Sequence, residues 1–566
     1  MFARLSLAAN TTFARAYGRE ESVSWRLPDS SEHGDATTTI ALSAAKTIGK
    51  PPREIAETLA ADLRGVEGVM KVEVAGAGYV NVWLTSVALV DELDETTKAL
   101  NKKPASKDPP VIVEYSQPNI AKPLGAHHIV GTVLGQALSN VYEHMGFPVL
   151  RWNYIGDWGT QFGKLAVAFE KWGSGKPVLQ YTLDELLDLY VKFNAEAEND
   201  PSLDSEGREA FRKLEQGDKE LRAFWQDVVS VTKSSLADIY ERLHVKFDLD
   251  LGESFYEDKM ESILNEGKKK GVFVEGEEGS LIAQFAPETN LPPYLVQKKD
   301  GATLYSTRDL AQMRYRIDTY NPQEILILTD IAQKLHFEQL VATCQLLGWT
   351  LPPFENVLFG RMRFADRSMS TRKGNILKLE HVLDEAVSRA REVIRTHRDT
   401  IDTRDEDALA EMMGVGSLVY GVLSQNRKQD LVFDWDKMLS FEGNSAPYLM
   451  YTHARACSVL RKGEHKGDFT FGKNLPESLS SAERSLIQAL LAFPNALEES
   501  RKTAMPHILA NALFALCQAF NHFYHTEAIL KAEAKLKELR LALTALTAQV
   551  LRTGSSLLTL VLPDQM

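Results

Sequence analysis

Between Glu114 and His128 the chain places a carboxylate, an asparagine, a lysine and two imidazoles close together: Glu114-Tyr115-Ser116-Gln117-Pro118-Asn119-Ile120-Ala121-Lys122-Pro123, then Gly125-Ala126-His127-His128. The apolar run Pro110 to Val113 reads as a strand leading into this cluster, and a helix start follows it. A strand end that feeds a helix N-terminus presents free backbone N–H groups and the positive end of the helix dipole, which favour phosphate. A lysine and two imidazoles there suit the negative charge that develops in phosphoryl chemistry. A second polar stretch, Arg367-Ser368-Met369-Ser370-Thr371-Arg372-Lys373-Gly374, carries three cations after a strand and before a helix. A loop of that kind could close over a polyphosphate.

These residues need a frame. Val149 to Tyr154, Glu324 to Thr329 and Asn356 to Met362 read as further strands, and residues 165–290 as a long charged helical insertion without parallel-strand alternation. Residues 1–100 read as a separate α+β unit, with a helix from Pro51-Pro52 and strands at Val72 to Val74 and Tyr79 to Leu84. A polar linker, Asn101 to Asp108, closes that unit. Beyond about residue 385 the apolar spacing is helical to the end, as Leu509, Leu513, Leu516 and Phe520 illustrate. The expected division is 1–100, 108–384 and 385–566.

The 566 residues exceed what one hydrophobic core serves. The 44% hydrophobic and 25% charged content is that of a water-soluble globular chain. No stretch has the roughly 18 uninterrupted apolar residues of a membrane span. Cys344, Cys457 and Cys517 lie far apart, which points to a reducing compartment with no disulfide framework and no structural metal. Arg4, Arg15 and Arg19 precede any acid, a faint organellar signal; an amphipathic first helix of a cytoplasmic protein is the expectation. The net charge of −13 would suit a metabolic enzyme, and nucleic-acid binding would need a local basic face.

The first string resembles the first signature of class I aminoacyl-tRNA synthetases of the arginyl family, whose pattern is Pro-Asn-Ile-Ala-Lys-Pro, one residue, then His-x-Gly-His. Gly125 stands where that family has its first histidine, and His127 where it has glycine. Ser368-Met369-Ser370 resembles the second signature, Lys-Met-Ser, with Ser368 in place of the leading lysine. His33-Gly34-Asp35-Ala36-Thr37 and Lys50 to Ala56 resemble the family's N-terminal domain, which contacts the tRNA elbow. Asp157-Trp158-Gly159-Thr160-Gln161 is a further match. Phe433-Asp434-Trp435 and Gly443 to Arg455 look like the start of its anticodon-binding bundle.

The resemblance implies an α/β fold: a Rossmann-like class I catalytic core with a helical insertion, an N-terminal α+β domain and a C-terminal all-α bundle. It implies that Glu114 and Asn119 hold the α-amino end of arginine. Lys122 and His128, with His127, would face the ATP phosphates. Met369, Ser370 and Lys373 would act on ATP from the second loop, with Arg367 another cation in reach, and Lys122 would make good the cation missing at Ser368. Tyr305 and Asp309, four apart and so on one helical face, would receive the guanidinium, with Gln333 as a third contact; a planar cation favours a carboxylate partner. Tyr448 and Arg455, with Tyr451, Arg461 and Lys462, would meet tRNA by stacking and phosphate contact.

The implied activity is arginine–tRNA ligation. Arginine, ATP with magnesium on its phosphates, and tRNA(Arg) are the partners, tRNA being needed for activation; no membrane is involved and a monomer is expected. The alternative that Gly125, His127 and Ser368 raise is a tRNA-binding paralogue that has lost activation.

Overall fold

The computed structural model describes residues 1–566 apart from 29, 30, 300, 302, 303, 365–376, 399, 400, 402, 404, 468, 470 and 472–474. Helix Phe2–Tyr17 buries Leu5, Ala9 and Phe13, which recur every four residues, and ends on Gly18 in the left-handed conformation. That face packs on helix Pro52–Leu63, which itself lies on an antiparallel sheet of β1 (Ala36–Thr38), β2 (Val69–Ala75) and β3 (Tyr79–Leu84), in the order β1-β3-β2. The expected α+β unit is present.

The central sheet begins with β4 (Val111–Glu114), buried along its whole length, and β5 (Val149–Asn153). They are parallel, with Glu114 opposite Trp152. Helix His128–His144 makes the crossover between them. It lies so close to the strand end that a Cβ on Gly135 would fall 2.2 Å from Cγ of Tyr115. Four helices follow, Thr160–Trp172, Leu183–Asn199, Ser202–Glu215 and Lys219–Arg242.

The insertion is not helical throughout, as its charge pattern had suggested. β6 (Leu249–Asp250) joins the main sheet parallel to β5, and β7 (Phe273–Glu275), β8 (Leu281–Ala283) and β9 (Tyr294–Gln297) form a small antiparallel sheet. Strands of two to four residues are too short to set up a period against a charged background.

β10 (Glu324–Asp330) and β11 (Phe354–Phe359) complete the main sheet in the order β11-β10-β4-β5-β6, all parallel. The chain order reverses between β4 and β10, so their carboxyl ends open the crevice where such sheets bind ligands. The strand expected over Asn356 to Met362 is two pieces. At Gly360 an added Cβ would sit 2.2 Å from the Gln429 carbonyl oxygen, and beyond it β12 (Met362–Phe364) pairs in parallel with β13 (Leu431–Phe433). That pairing interrupts an otherwise helical C-terminal part. Helices Ala446–Lys462, Ser481–Thr503, Pro506–Thr526 and Ala534–Leu557 form its bundle. Leu509, Leu513, Leu516 and Phe520 are all buried there, as their spacing predicts. No described helix is long and apolar enough to cross a membrane.

Candidate active site

The loop after β4 is held in a demanding conformation. Ser116, Gln117 and Ala121 all have positive φ without being glycine, and such strain persists only where the surroundings enforce it. Part of that enforcement is a bridge to the stretch after β5. Ile120 N–H donates to the Gly156 carbonyl at 3.1 Å, and Gly156 N–H donates to that of Pro118 at 2.9 Å. A Cβ on Gly156 would lie 2.4 Å from Oδ1 of Asn119. The next residue, Asp157, is buried and accepts the Ser254 N–H at 2.8 Å and its hydroxyl at 2.7 Å. Gly156 thus braces the loop, and Asp157 ties the stretch after β5 to Ser254.

Glu114 is buried at the end of β4. Its Oε1 accepts Gln117 Nε2 at 2.6 Å, and its Oε2 accepts Gln312 Nε2 at 3.2 Å and the Arg316 guanidinium. Arg316 is itself fully buried, 4.4 Å from the Trp152 ring centroid. Neither charge would tolerate that depth alone. Three hydrogen bonds leave about one acceptor position on the carboxylate for anything else. Asn119 is exposed, and Lys122 is half-buried with Nζ 5.6 Å from the Tyr190 ring centroid.

His127 precedes helix His128–His144, and the two imidazole centroids are 4.1 Å apart. Gly125 N–H donates to His128 Nδ1 at 3.0 Å, while the Gly125 carbonyl already accepts the His128 N–H at 2.9 Å. The same Nδ1 lies 3.2 Å from that carbonyl oxygen, so the Gly125 backbone engages Nδ1 in either tautomer. Burial, and then the His127 neighbour, lower the His128 pKa to about 4. Burial lowers His127 as well. The His128 ring is thus neutral near pH 7.

Met369, Ser370 and Lys373, with Arg367 and Ser368, lie outside the described residues. The chain that follows them is tied to the first string. Ala126 N–H donates to the Leu377 carbonyl at 2.7 Å, and Leu379 N–H donates to that of Leu124 at 2.8 Å. Leu124 and Ala126 are therefore joined to Leu377 and Leu379, about 250 residues later in the chain.

Helix Tyr305–Tyr320 forms a second wall. Tyr305, Asp309, Gln312 and Arg316 recur at helical spacing on one face, from an exposed tyrosine to the buried partner of Glu114. Asp309 accepts from His336 Nε2 at 2.6 Å, a partner that residue order does not reveal. Gln333 is exposed and precedes helix Lys334–Leu346, three residues before His336. Glu253 joins from the insertion, 3.7 Å from Arg308. Its pKa is raised to about 7, by burial first, with Arg308 opposing and the nearby Asp309 and Asp157 charges adding. A carboxylate whose ionisation is held back in this way is relieved by a cation brought beside it.

In the bundle, Tyr448, Tyr451 and Arg455 occupy one face of helix Ala446–Lys462. The Arg455 guanidinium lies over the rings of Tyr451 and Tyr524, 4.6 and 4.8 Å from their centroids, and donates to Asn521 Oδ1 at 2.5 Å. A cavity of about 660 Å³ opens beside it, walled by Tyr451, Arg455, Lys462, Tyr524 and the terminal Met566. Tyr448 leans on Phe514, with centroids 5.5 Å apart. Arg461 is partly committed to the Asp564 carbonyl at 2.8 Å. Among the described residues, His453, Cys457 and Asp564 form the one cluster with metal-ligand chemistry. Arg552 already holds the Asp564 carboxylate, and His453 Nδ1 is bonded to the Pro563 carbonyl.

The geometry has close relatives. Residues 90–435 match the family described as tRNA synthetases class I (R), catalytic domain. Residues 449–566 match the DALR anticodon binding domain, and residues 8–84 the arginyl tRNA synthetase N-terminal domain. The chain is 38% identical over 528 residues to an arginine–tRNA ligase of Fusobacterium nucleatum, covering 93% of this chain and 92% of that one. It is 37% identical over 545 residues to that of Alkaliphilus metalliredigens, covering 95% of each. The arginyl-tRNA synthetase structure of Thermus thermophilus has the same fold, with a TM-score of 0.81 at 23% identity over the full length of both chains. That of Plasmodium falciparum superposes with a TM-score of 0.80 at 22% identity, covering 100% of this chain and 99% of the other. With three family patterns in order along it, and curated relatives aligned almost end to end, the chain belongs to the arginyl-tRNA synthetase family.

Proposed function

We propose that the chain is an arginine–tRNA ligase. The arginine carboxylate attacks the α-phosphorus of ATP in line, releasing pyrophosphate, and the arginyl group then passes to the terminal ribose of tRNA(Arg). The observation that carries this reading is the single helix face that runs from Tyr305 through Asp309 to the Arg316–Glu114 pair at the carboxyl end of β4. It supports an anionic receptacle for a cationic side chain beside a strand end suited to phosphate.

Asp309 and Tyr305 would receive the guanidinium, with Gln333 at the rim. Asn119 and the remaining acceptor position of Glu114 would hold the α-ammonium. Lys122 supplies the fixed cation for the triphosphate. His128 would face the phosphates as a neutral ring, with His127 beside it. Met369, Ser370 and Lys373 would cover the phosphates, which arrive as the magnesium complex. With no chemistry on a protein nucleophile, positioning and charge complementarity supply the rate. Tyr448 and Arg455 would take the tRNA, whose presence we expect activation to need. We further propose a cytoplasmic monomer, with 1–100, 108–384 and 385–566 as its working domains.

Charging of total tRNA with labelled arginine, with lysine as control, tests the reading. Arginine alone should be incorporated, in an ATP-dependent manner. Binding of tRNA without charging would replace it with the activation-deficient alternative.

A further inference from the structure

We infer that His336 is a positioning residue that sets the Asp309 carboxylate for a guanidinium. The inference rests on the reading of Asp309 as the acceptor for the substrate side chain.

Three elements converge on this imidazole. Asp309 comes from helix Tyr305–Tyr320, His336 from helix Lys334–Leu346 and Tyr294 from β9. His336 Nε2 lies 2.6 Å from Asp309 Oδ2, and its Nδ1 lies 3.3 Å from the Tyr294 hydroxyl. The His336 and Asp309 side chains are only 17% and 13% exposed, and Tyr294 is buried. Burial holds the Tyr294 phenol protonated, pushing its pKa well above the usual value. Tyr294 can therefore donate to Nδ1, which leaves the ring proton on Nε2 and directed at Asp309. The Tyr305 ring stands 5.1 Å from the imidazole centroid on the exposed side.

This series of hydrogen bonds has a consequence for selection. An aspartate has a broad terminal torsion, so an unheld carboxylate samples many planes. A donor fixed on Oδ2 removes that freedom and leaves Oδ1 and the second lone pair of Oδ2 for the ligand. A planar fork of N–H groups gains most from a carboxylate plane set in advance, whereas an ammonium, a point charge with rotatable donors, gains little. His336 therefore sharpens arginine over lysine without needing to touch either one.

Steady-state charging at saturating ATP and tRNA tests this with four variants: Asp309→Asn, His336→Ala, His336→Gln and Tyr294→Phe. His336→Ala should raise the arginine KM about tenfold or more, the loss typical of a hydrogen bond to a charged group. Its kcat should stay within about twofold, because the interaction forms in the ground state as well. His336→Gln should recover most of the loss, since its amide nitrogen reaches the same oxygen. Tyr294→Phe should raise KM by a few-fold and keeps the test valid if the alanine variant does not fold.

An unchanged KM in Asp309→Asn would remove the pocket reading itself. A raised KM there with a wild-type KM in both His336→Ala and Tyr294→Phe would overturn the present inference alone. So would a loss in kcat that the glutamine variant fails to recover.

Discussion

Arg484 of the C-terminal bundle donates to the buried carboxylate of Asp35 at 2.7 Å, joining residues 449 positions apart. Asp35 also accepts the Leu84 N–H at 2.7 Å and Gln488 Nε2 at 3.2 Å, while Arg484 reaches the Leu84 carbonyl at 3.1 Å. Ser86 and Thr96 extend the seam to the carbonyls of Glu477 and Leu490. The His33-Gly34-Asp35 string thus fastens the N-terminal domain to helix Ser481–Thr503.

Removing one partner of a buried pair leaves the other charged and uncompensated, at a cost of about 3–5 kcal/mol. Asp35→Ala should therefore loosen the seam. Amide exchange would quicken at Val82 to Leu84 and Ser481 to Leu491, and unfolding would begin at a lower temperature. The neutral double variant Asp35→Asn/Arg484→Gln should regain much of the protection. Unaltered exchange in Asp35→Ala would mean that the apolar contacts alone hold the domains together.

His128 gives a pH prediction with a definite sign. Its folded pKa, about 4, lies below the ordinary histidine value of 6.5. The unfolded chain therefore takes up its proton first as the pH falls. The contribution is fully present above about pH 6.5 and is lost as pH falls from there through about 4, roughly 3 kcal/mol across the window. His128→Gln should flatten the stability profile between those limits and leave it alone above pH 7. Parallel profiles for the two proteins would show that the ring is not buried as neutral imidazole.

The legible parts of the sequence were those whose signal is local. Glu114 to His128 could be read because order and residue type sit within one loop. Tyr79 to Leu84 and Glu324 to Thr329 could be read because an apolar run ends at turn residues. β6 could not, since Leu249 and Asp250 have no run to show and gain their place only by pairing with Trp152 and Asn153. Arg316 reads as an ordinary helix-surface charge until Glu114, 202 positions earlier, is folded against it. His336 escaped for the same reason. Gln333 stood out by family order, but the hydrogen bond to Asp309 belongs to the residue one helical turn further on. Long-range pairing of single side chains carries no periodicity, so it leaves no trace in the order of residues.

Gly125 and His127 can be tested together. Gly125 is buried and its N–H holds the His128 ring, while Ala126 pairs with Leu377. The double change Gly125→His/His127→Gly restores the family's usual order, but it puts a ring where the chain is packed. Overpacking of that kind costs about 1–3 kcal/mol. Charging by the double variant should fall, by about tenfold in kcat/KM, with tRNA binding retained. A rise instead would mean that the present residues impair activation.

Arg455 is held by two tyrosine rings and on one edge by Asn521, which leaves its other N–H groups for a ligand. A guanidinium immobilised in this way gives up little side-chain freedom when it binds, so its hold on RNA should be strong for a single residue. Arg455→Met keeps the apolar stem and removes the charge. It should raise the KM for tRNA about tenfold while the KM for arginine stays the same, since the side chains that hold Arg455, those of Tyr451, Asn521 and Tyr524, all belong to the bundle. The dependence of tRNA affinity on salt should also shallow, by about 0.7 in the log–log slope, the value for one fewer phosphate neutralised on an unpaired strand. A tenfold loss with an unchanged slope would assign Arg455 to ordering the Tyr451 and Tyr524 rings for base stacking. Tyr524→Ala should then give the same loss by itself.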